Sequence, residues 1–353
     1  MKKWLKVALC ILLAVVLLVG GYVAYVFIDY HRLGDMTLTP THNAGAAESG
    51  TVYTMISYNI GFGAYESDYG FFMDGGTESR AWSKERLTKN LTAISTFLQE
   101  QDADFYLLQE VDTGATRTYQ VDERTYFTEA LSGMSWVYCQ NYDSPYLMYP
   151  LLKPHGASHA GLMTFSTADI AAASRVELPI EGGFMKLLDL DRCYSVSRIP
   201  VSGSKELVLY NLHLSAYTSD GTIATEQLKL LLADMQAEYE SGNWCVAGGD
   251  FNKDLLGDSA AWFGEADQSY SWAQPIPAET FAGVDISLAA PLDENDPVPS
   301  CRNADGPYHE GQYVLTVDGF LITPNVTVSQ ATVLDTGFAW SDHNPVKMTF
   351  TLS

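Results

Sequence analysis

The sequence predicts an α+β protein: two stacked β-sheets with helices outside, a single domain of about 300 residues, preceded by one apolar helix. Three observations carry that prediction. Short runs rich in Val, Ile, Leu, Tyr and Phe recur along the chain, separated by turn residues. Between some of them lie apolar residues at helical spacing, and near the N-terminus stands an uncharged stretch of membrane-spanning length.

That stretch comes first. Val7 to Ile28 carries no charge, and at about 1.5 Å per residue it covers a hydrocarbon core of about 30 Å. Lys2, Lys3 and Lys6 precede it, so the positive-inside tendency keeps the N-terminus in the cytoplasm and sends the rest outside. A cleaved signal peptide has a shorter apolar region and a small-x-small site, whereas this run ends in the bulky Tyr22-Val23-Ala24-Tyr25-Val26-Phe27-Ile28. A retained single-pass anchor is the expectation. The resulting organisation is a cytoplasmic tip over 1–6, an anchor over 7–28, a stalk over 29–50 and a body over 51–353. Gly34 to Gly50 is rich in Gly, Ala, Thr, Ser and Asn without apolar periodicity, which predicts flexibility.

Strands are expected at 52–58, 105–111, 136–142, 160–166, 207–214, 244–249, 313–323, 326–334 and 345–352. Leu87, Leu91, Ile94 and Leu98 mark one helix, and Leu228, Leu231, Leu232 and Met235, followed by Gly242, mark another. From Leu255 to Gly311 the chain is rich in proline and reads as a long excursion from the core. Its Trp262, Phe263, Tyr270, Trp272 and Phe281 suit packing onto the body more than contact with a lipid or ligand. Cys139, Cys193, Cys245 and Cys301 show neither C-x-x-C nor zinc spacing, and their pairing has three formal connectivities.

Of 20 basic residues three precede the anchor, leaving 17 against 43 acidic ones. So acidic a body disfavours broad binding to nucleic acid, where Lys and Arg neutralise phosphates. It does not exclude a nuclease, since carboxylates also hold divalent cations.

Polar residues repeatedly end the apolar runs, where a rigid scaffold presents side chains to a cleft. Six places stand out: Ser57-Tyr58-Asn59, Gln109-Glu110-Val111-Asp112, Asn211-Leu212-His213-Leu214, Gly249-Asp250-Phe251-Asn252, Val317-Asp318-Gly319 and Ser341-Asp342-His343-Asn344-Pro345. Singly, each is an ordinary turn or surface motif. As an ordered set, with Gly161-Leu162 through Ser166, they resemble the endonuclease/exonuclease/phosphatase superfamily over about residues 51–353. The resemblance implies a four-layer α/β/β/α sandwich of two mixed sheets, with an active site in a cleft at one edge.

It also implies roles. Glu110 is the principal ligand of Mg²⁺ (or Mn²⁺), with Asn59 beside it in the metal set, and Asp342 is the second-site ligand. His343 and His213 form an acid/base pair about the scissile phosphate, and Asp318 orients His343. Asp250 and Asn252 position or deprotonate water and bind the phosphoryl oxygen. Within the family both the His and the Asp are argued as the base, and that stays open here. Lys186 and Arg192 are candidates for steering a phosphate, with Arg117 and Arg302 similar, although such residues are more often solvated charges. His155 and His159 read as exposed loop residues. No His-x-x-x-His spacing supports zinc.

The expected activity is hydrolysis of a phosphoester outside the cytoplasm, on lipid headgroups or small phosphoesters. A surface nuclease is the alternative within the same chemistry, and a silent binding scaffold the alternative of another class. No protein partner is inferable.

Overall fold

The computed structural model describes residues 3–182, 190–203, 205–216, 222–264 and 272–353. Five α-helices are defined among them: α1 (Lys3–Asp29), α2 (Lys84–Glu100), α3 (Arg124–Ala130), α4 (Thr222–Glu240) and α5 (Ser259–Phe263). The first eight strands are β1 (Met36–Leu38), β2 (Val52–Asn59), β3 (Phe105–Asp112), β4 (Ser135–Asp143), β5 (His159–Ser166), β6 (Ala172–Glu177), β7 (Cys193–Val201) and β8 (Lys205–His213). After them come β9 (Trp244–Asp250), β10 (Ser287–Ala289), β11 (Cys301–Arg302), β12 (Val314–Leu315), β13 (Asp318–Ile322), β14 (Val326–Val333) and β15 (Val346–Leu352).

The strands form two mixed sheets, ordered β14-β15-β2-β3-β5-β4 and β1-β6-β7-β8-β9-β13-β10, with β11-β12 as a small ribbon. Period-2 alternation assigns the faces. Met55, Phe105, Leu107, Leu209, Val246, Phe320, Met348 and Phe350 meet between the sheets. Ile56, Tyr58, Tyr106 and Leu108 point outward under Leu87, Leu91, Ile94 and Leu98 of α2. On the far side Val208, Tyr210 and Leu212 lie under Leu228, Leu231, Leu232 and Met235 of α4. The four layers are therefore helix, sheet, sheet, helix.

Each sheet contains one parallel pair, β2 with β3 and β8 with β9. Parallel neighbours need a crossover, which α2 and α4 supply. Both pairs end at the same edge of the sandwich, and there Gln109 Nε2 donates to Asn211 Oδ1 at 2.8 Å across the sheets. Asn211 Nδ2 in turn donates to the Met163 carbonyl at 2.9 Å. These buried amides tie together the strand ends that carry the site.

Three expectations need correction. The segment expected to be a flexible stalk is tied to the body: β1 pairs with β6, Ala47 N donates to the Pro200 carbonyl at 2.9 Å, and Arg175 donates to the Leu33 and Gly34 carbonyls at 2.7 and 3.0 Å. Backbone pairing at a sheet edge needs no apolar periodicity, so composition did not register it. The single strand expected at 313–323 is two, β12 and β13, in different sheets. Strands β6 and β7 were not anticipated, because Ser195, Ser197, Arg175 and Arg198 interrupt their apolar pattern.

α1 matches the expected apolar helix and is long and apolar enough to cross a bilayer. The four body cysteines are buried free thiols, with the Cys139 and Cys193 sulfurs 3.6 Å apart between β4 and β7.

Candidate active site

Strand ends assemble the pocket. Asn59 closes β2, Glu110 lies near the end of β3, His213 closes β8, Asp250 closes β9 and Asp318 opens β13. In register, Asn59 faces Gln109, His213 faces Asp250, and Asp250 faces Asp318. Asp342 and His343 stand just before β15, whose Val346 pairs with Ser57.

Local backbone aims these side chains. Glu110 has φ +56° beside a register shift between Leu108 and Val111 in the β3–β5 ladder. Such a bulge re-aims a side chain, and a non-glycine residue at positive φ is held there only by its surroundings. Gly249 has φ +152°, and a Cβ there would stand 2.0 Å from the Leu212 carbonyl oxygen. Glycine therefore lets β9 press against β8 just before Asp250.

The polar contacts form one network. Asn59 Nδ2 donates to Glu110 Oε1 and to Asp250 Oδ2, each at 3.1 Å, while its Oδ1 accepts from Gly61 N at 3.0 Å. His343 Nδ1 bonds Asp318 Oδ2 at 2.8 Å, and Ser300 Oγ donates to the same oxygen at 2.7 Å. The other His343 nitrogen, Nε2, lies 3.7 Å from Asp250 Oδ2 and 3.6 Å from Cys301 Sγ. His213 Nε2 stands 3.5 Å from Asp250 Oδ2. Asn252 donates through Nδ2 to the Leu214 carbonyl at 2.7 Å, and its backbone N donates to Asp250 Oδ1 at 2.8 Å.

Burial and charge push the titrating groups apart. For His343 burial disfavours the cation, but the Asp318 carboxylate, Cys301 and Asp250 outweigh it and hold the pKa well above the ordinary value. His213 goes the other way, since burial and then the nearby Arg192, His343 and Arg117 all disfavour its cation. Burial lifts Asp250 to about 7, against the pull of His343. Glu110 and Asp342 are both raised, first by burial; Arg117 opposes this for Glu110 while Asp342 adds to it, and His343 and Arg302 oppose it for Asp342. A protonated and a neutral imidazole flanking one carboxylate are the separated pKa values that acid–base chemistry uses.

Two carboxylates that repel one another suit a divalent cation, and the all-oxygen donors of Glu110 and Asp342 suit a hard one such as Mg²⁺. Asp250, Asp318 and His343 also bring ligand-type atoms within 4.8 Å of one another.

Glu110, Arg117, Arg192, His213, Asp250, Asn252, Arg302, Asp342 and His343 all line one pocket. Asn59 and Asp318 are buried behind it. Arg192 is buried and donates to the Leu214 carbonyl at 2.8 Å, and Arg117 clasps Asp112 through two bonds of 2.9 and 2.8 Å. Lys186 lies outside the described residues. Sequence reasoning missed the site roles of Cys301 and of the aromatic wall of Phe62, Phe71 and Tyr142, which line the pocket, and of Ser300, which bonds Asp318 behind it. Ser300-Cys301 follows Pro299 inside an irregular stretch, where no periodicity marks it. Trp272 packs against the buried cluster of Ala273, Cys301, Leu315 and Val317, as expected, and lines the pocket as well.

His155, expected to be exposed, is a correction. It is buried, with Nδ1 donating to the Ser79 carbonyl at 2.8 Å and Nε2 placed to accept from Ser158 Oγ at 3.2 Å. Burial, then the Arg117 charge, press its pKa down to about 3. The folded protein therefore keeps His155 neutral where an unfolded chain protonates it below about pH 6.5. That contribution is full above pH 6.5 and is lost as pH falls toward 3, by up to about 1.4 kcal/mol per pH unit. Thermal unfolding of the detergent-solubilised chain between pH 7 and 5 should fall more steeply for wild type than for His155→Gln. Parallel curves would mean that His155 accepts its proton without unfolding.

Two mixed sheets face to face, helices outside, and an edge pocket of Glu, Asp, Asn and His define the fold of a phosphoesterase. The chain belongs to the Endonuclease/Exonuclease/phosphatase family, whose sequence model matches residues 56–343. Members of this family hydrolyse phosphoester bonds and generally depend on a divalent metal. An endonuclease/exonuclease/phosphatase structure from Beutenbergia cavernae is similar with TM-score 0.55 and 17% identity, over 86% of this chain and 72% of that one. The human Nocturnin catalytic domain, with bound sulfate, gives TM-score 0.52 and 16% identity over 90% of this chain and 98% of its own. ANGEL2, a 2',3'-cyclic phosphatase, gives TM-score 0.55 and 16% identity over 90% and 99%. At such identities the likeness is one of fold. No match was found among curated proteins.

Proposed function

We propose that this protein is a membrane-anchored, divalent-metal-dependent phosphoester hydrolase whose catalytic body lies outside the cytoplasm. The observation that carries this reading is the convergence of two groups on one pocket: the Glu110–Asp342 carboxylates, and the His343–Asp318 and His213–Asp250 pairs. Glu110 and Asp342 are the residues to hold the metal, with Asn59 orienting Glu110. Bound there, Mg²⁺ or Mn²⁺ would supply positive charge for the developing phosphoryl oxyanion.

The chain's own groups do the rest. His343, kept cationic by Asp318, donates a hydrogen bond to a phosphoryl oxygen. Asp250, lifted to about 7, has the basicity to take a proton from water near neutral pH. Neutral His213 stands across Asp250, on the leaving-group side, and Asn252 is held by the Leu214 carbonyl to face the phosphoryl group. Arg192 lines the pocket beside them and steers the anionic substrate.

The apolar span and the Lys2, Lys3 and Lys6 charges support an anchor with a cytoplasmic N-terminus. The excess of acidic residues supports a lipid headgroup or small phosphoester over nucleic acid. The test offers the full chain in vesicles an aryl phosphodiester, phospholipid, DNA and RNA, each with Mg²⁺, Mn²⁺ or EDTA. Metal-dependent cleavage of the aryl ester and phospholipid is expected. Metal-dependent cleavage of nucleic acid alone would replace the substrate assignment, and no hydrolysis of any substrate would sink the enzymatic reading.

A further inference from the structure

The hairpin between β4 and β5 carries Tyr146-Leu147-Met148-Tyr149-Pro150-Leu151-Leu152 at its tip. Leu152 is 101% exposed, Leu151 80% and Tyr149 68%. This apolar tip is joined to α1. Tyr22 Oη donates to the Tyr146 carbonyl at 3.1 Å and accepts from Met148 N at 3.0 Å, and Tyr25 Oη accepts from Tyr146 N at 3.1 Å. Val26 is the one buried residue of that helix.

The joint continues below the helix. His31 Nε2 pairs with Asp143 Oδ2 at 2.9 Å and Arg32 Nε with Glu177 Oε1 at 2.9 Å. These contacts join the helix end to the hairpin, so the depth of one constrains the depth of the other. A hydrocarbon core of about 30 Å takes about 20 helical residues. Counted from Val7, its outer boundary falls near Val26, with Tyr22 and Tyr25 in the turn below, where tyrosines favour the membrane interface.

The same hairpin reaches the pocket. Tyr142 and His155, at its base, line the pocket with Glu110 and His343, and the Tyr149 ring lies 5.7 Å from Phe72, itself 5.9 Å from His155. The tip itself carries no cation for anionic lipid, and the neighbouring Lys153 pairs with Glu78 at 2.5 Å. Its attraction to a bilayer is apolar.

We propose that the 146–152 tip inserts into the outer boundary of the bilayer that holds α1, so that the pocket opens onto the membrane surface and takes a phosphoester presented by a lipid. The proposal rests on the anchored-hydrolase reading and deepens it, because a second contact fixes which way the pocket faces.

The test uses the full chain with Leu152→Cys in a Cys10→Ser background, the other thiols being buried. A nitrobenzoxadiazole label at position 152 is read in phosphatidylcholine vesicles. Quenching by doxyl-labelled lipid and protection from aqueous iodide are expected, unchanged between low and high salt. A retained protein whose label stays open to iodide would overturn the insertion alone, while extraction by alkaline carbonate would overturn the anchor and the insertion together. Because the label does not depend on turnover, an inactive chain would count only against the hydrolase reading. In a second arm, Leu151→Asp with Leu152→Asp should lower the ratio of vesicle-phospholipid to soluble aryl-diester hydrolysis about tenfold. An unchanged ratio would overturn the orientation of the pocket toward the membrane.

Discussion

His343→Ala should slow phosphodiester hydrolysis by about 10²–10³-fold in single-turnover experiments, the range that losing one donor to a developing oxyanion costs. The size of the effect follows from how the ring is held. Nδ1 is fixed by Asp318 at 2.8 Å, and that carboxylate is itself oriented by Ser300 at 2.7 Å. Nε2 is thereby aimed into the pocket as a charged donor, and alanine leaves nothing in its place. Asp318→Asn should cost less, since the ring remains but its cation loses the opposing charge. A His343→Ala enzyme with normal kcat and a raised KM would reduce His343 to a binding residue.

Much of this site was legible in the sequence. Asn59, Glu110, His213 and Asp250 stand at or near the ends of apolar strands, where singly they read as turn residues, and it is the resemblance of the ordered set to a known family that picked them out. The two long helices were legible from their apolar spacing, since Leu87 to Leu98 and Leu228 to Met235 each face a sheet. What stayed hidden depends on contacts distant in sequence. His155 is buried by the segment around Ser79, 76 residues earlier, and the 34–50 stretch is held by β6 and the Pro200 carbonyl. Its backbone bonds leave no mark on composition. The 146–152 tip did carry a signal, a run of apolar residues without a charge, but only its contact with α1 gives that run a meaning.

Glu110→Gln should abolish the stabilisation of the protein by Mg²⁺ and reduce metal-dependent hydrolysis by about 10²-fold or more, while leaving the metal-free fold at least as stable. The reason lies in the charge balance. Without a cation, burial raises the pKa of Glu110, Arg117 opposes the rise and the Asp342 charge adds to it, so the neutral isostere relieves a net cost that is mainly one of burying charge. The substituted amide keeps an oxygen to accept from Asn59 Nδ2, which preserves the position of that asparagine and its second bond to Asp250. With the cation, the sign reverses. A ligand at a hundredfold excess over its Kd stabilises the fold by about 2.7 kcal/mol, and wild type should show that as a rise in Tm with Mg²⁺. The variant should show little or none. Two curves therefore cross: the variant melts at the same temperature or higher in EDTA and lower in Mg²⁺. A variant that keeps the full Mg²⁺-dependent rise would take Glu110 out of the metal site and leave Asp342, or the Asp250–Asp318–His343 group, to account for metal binding.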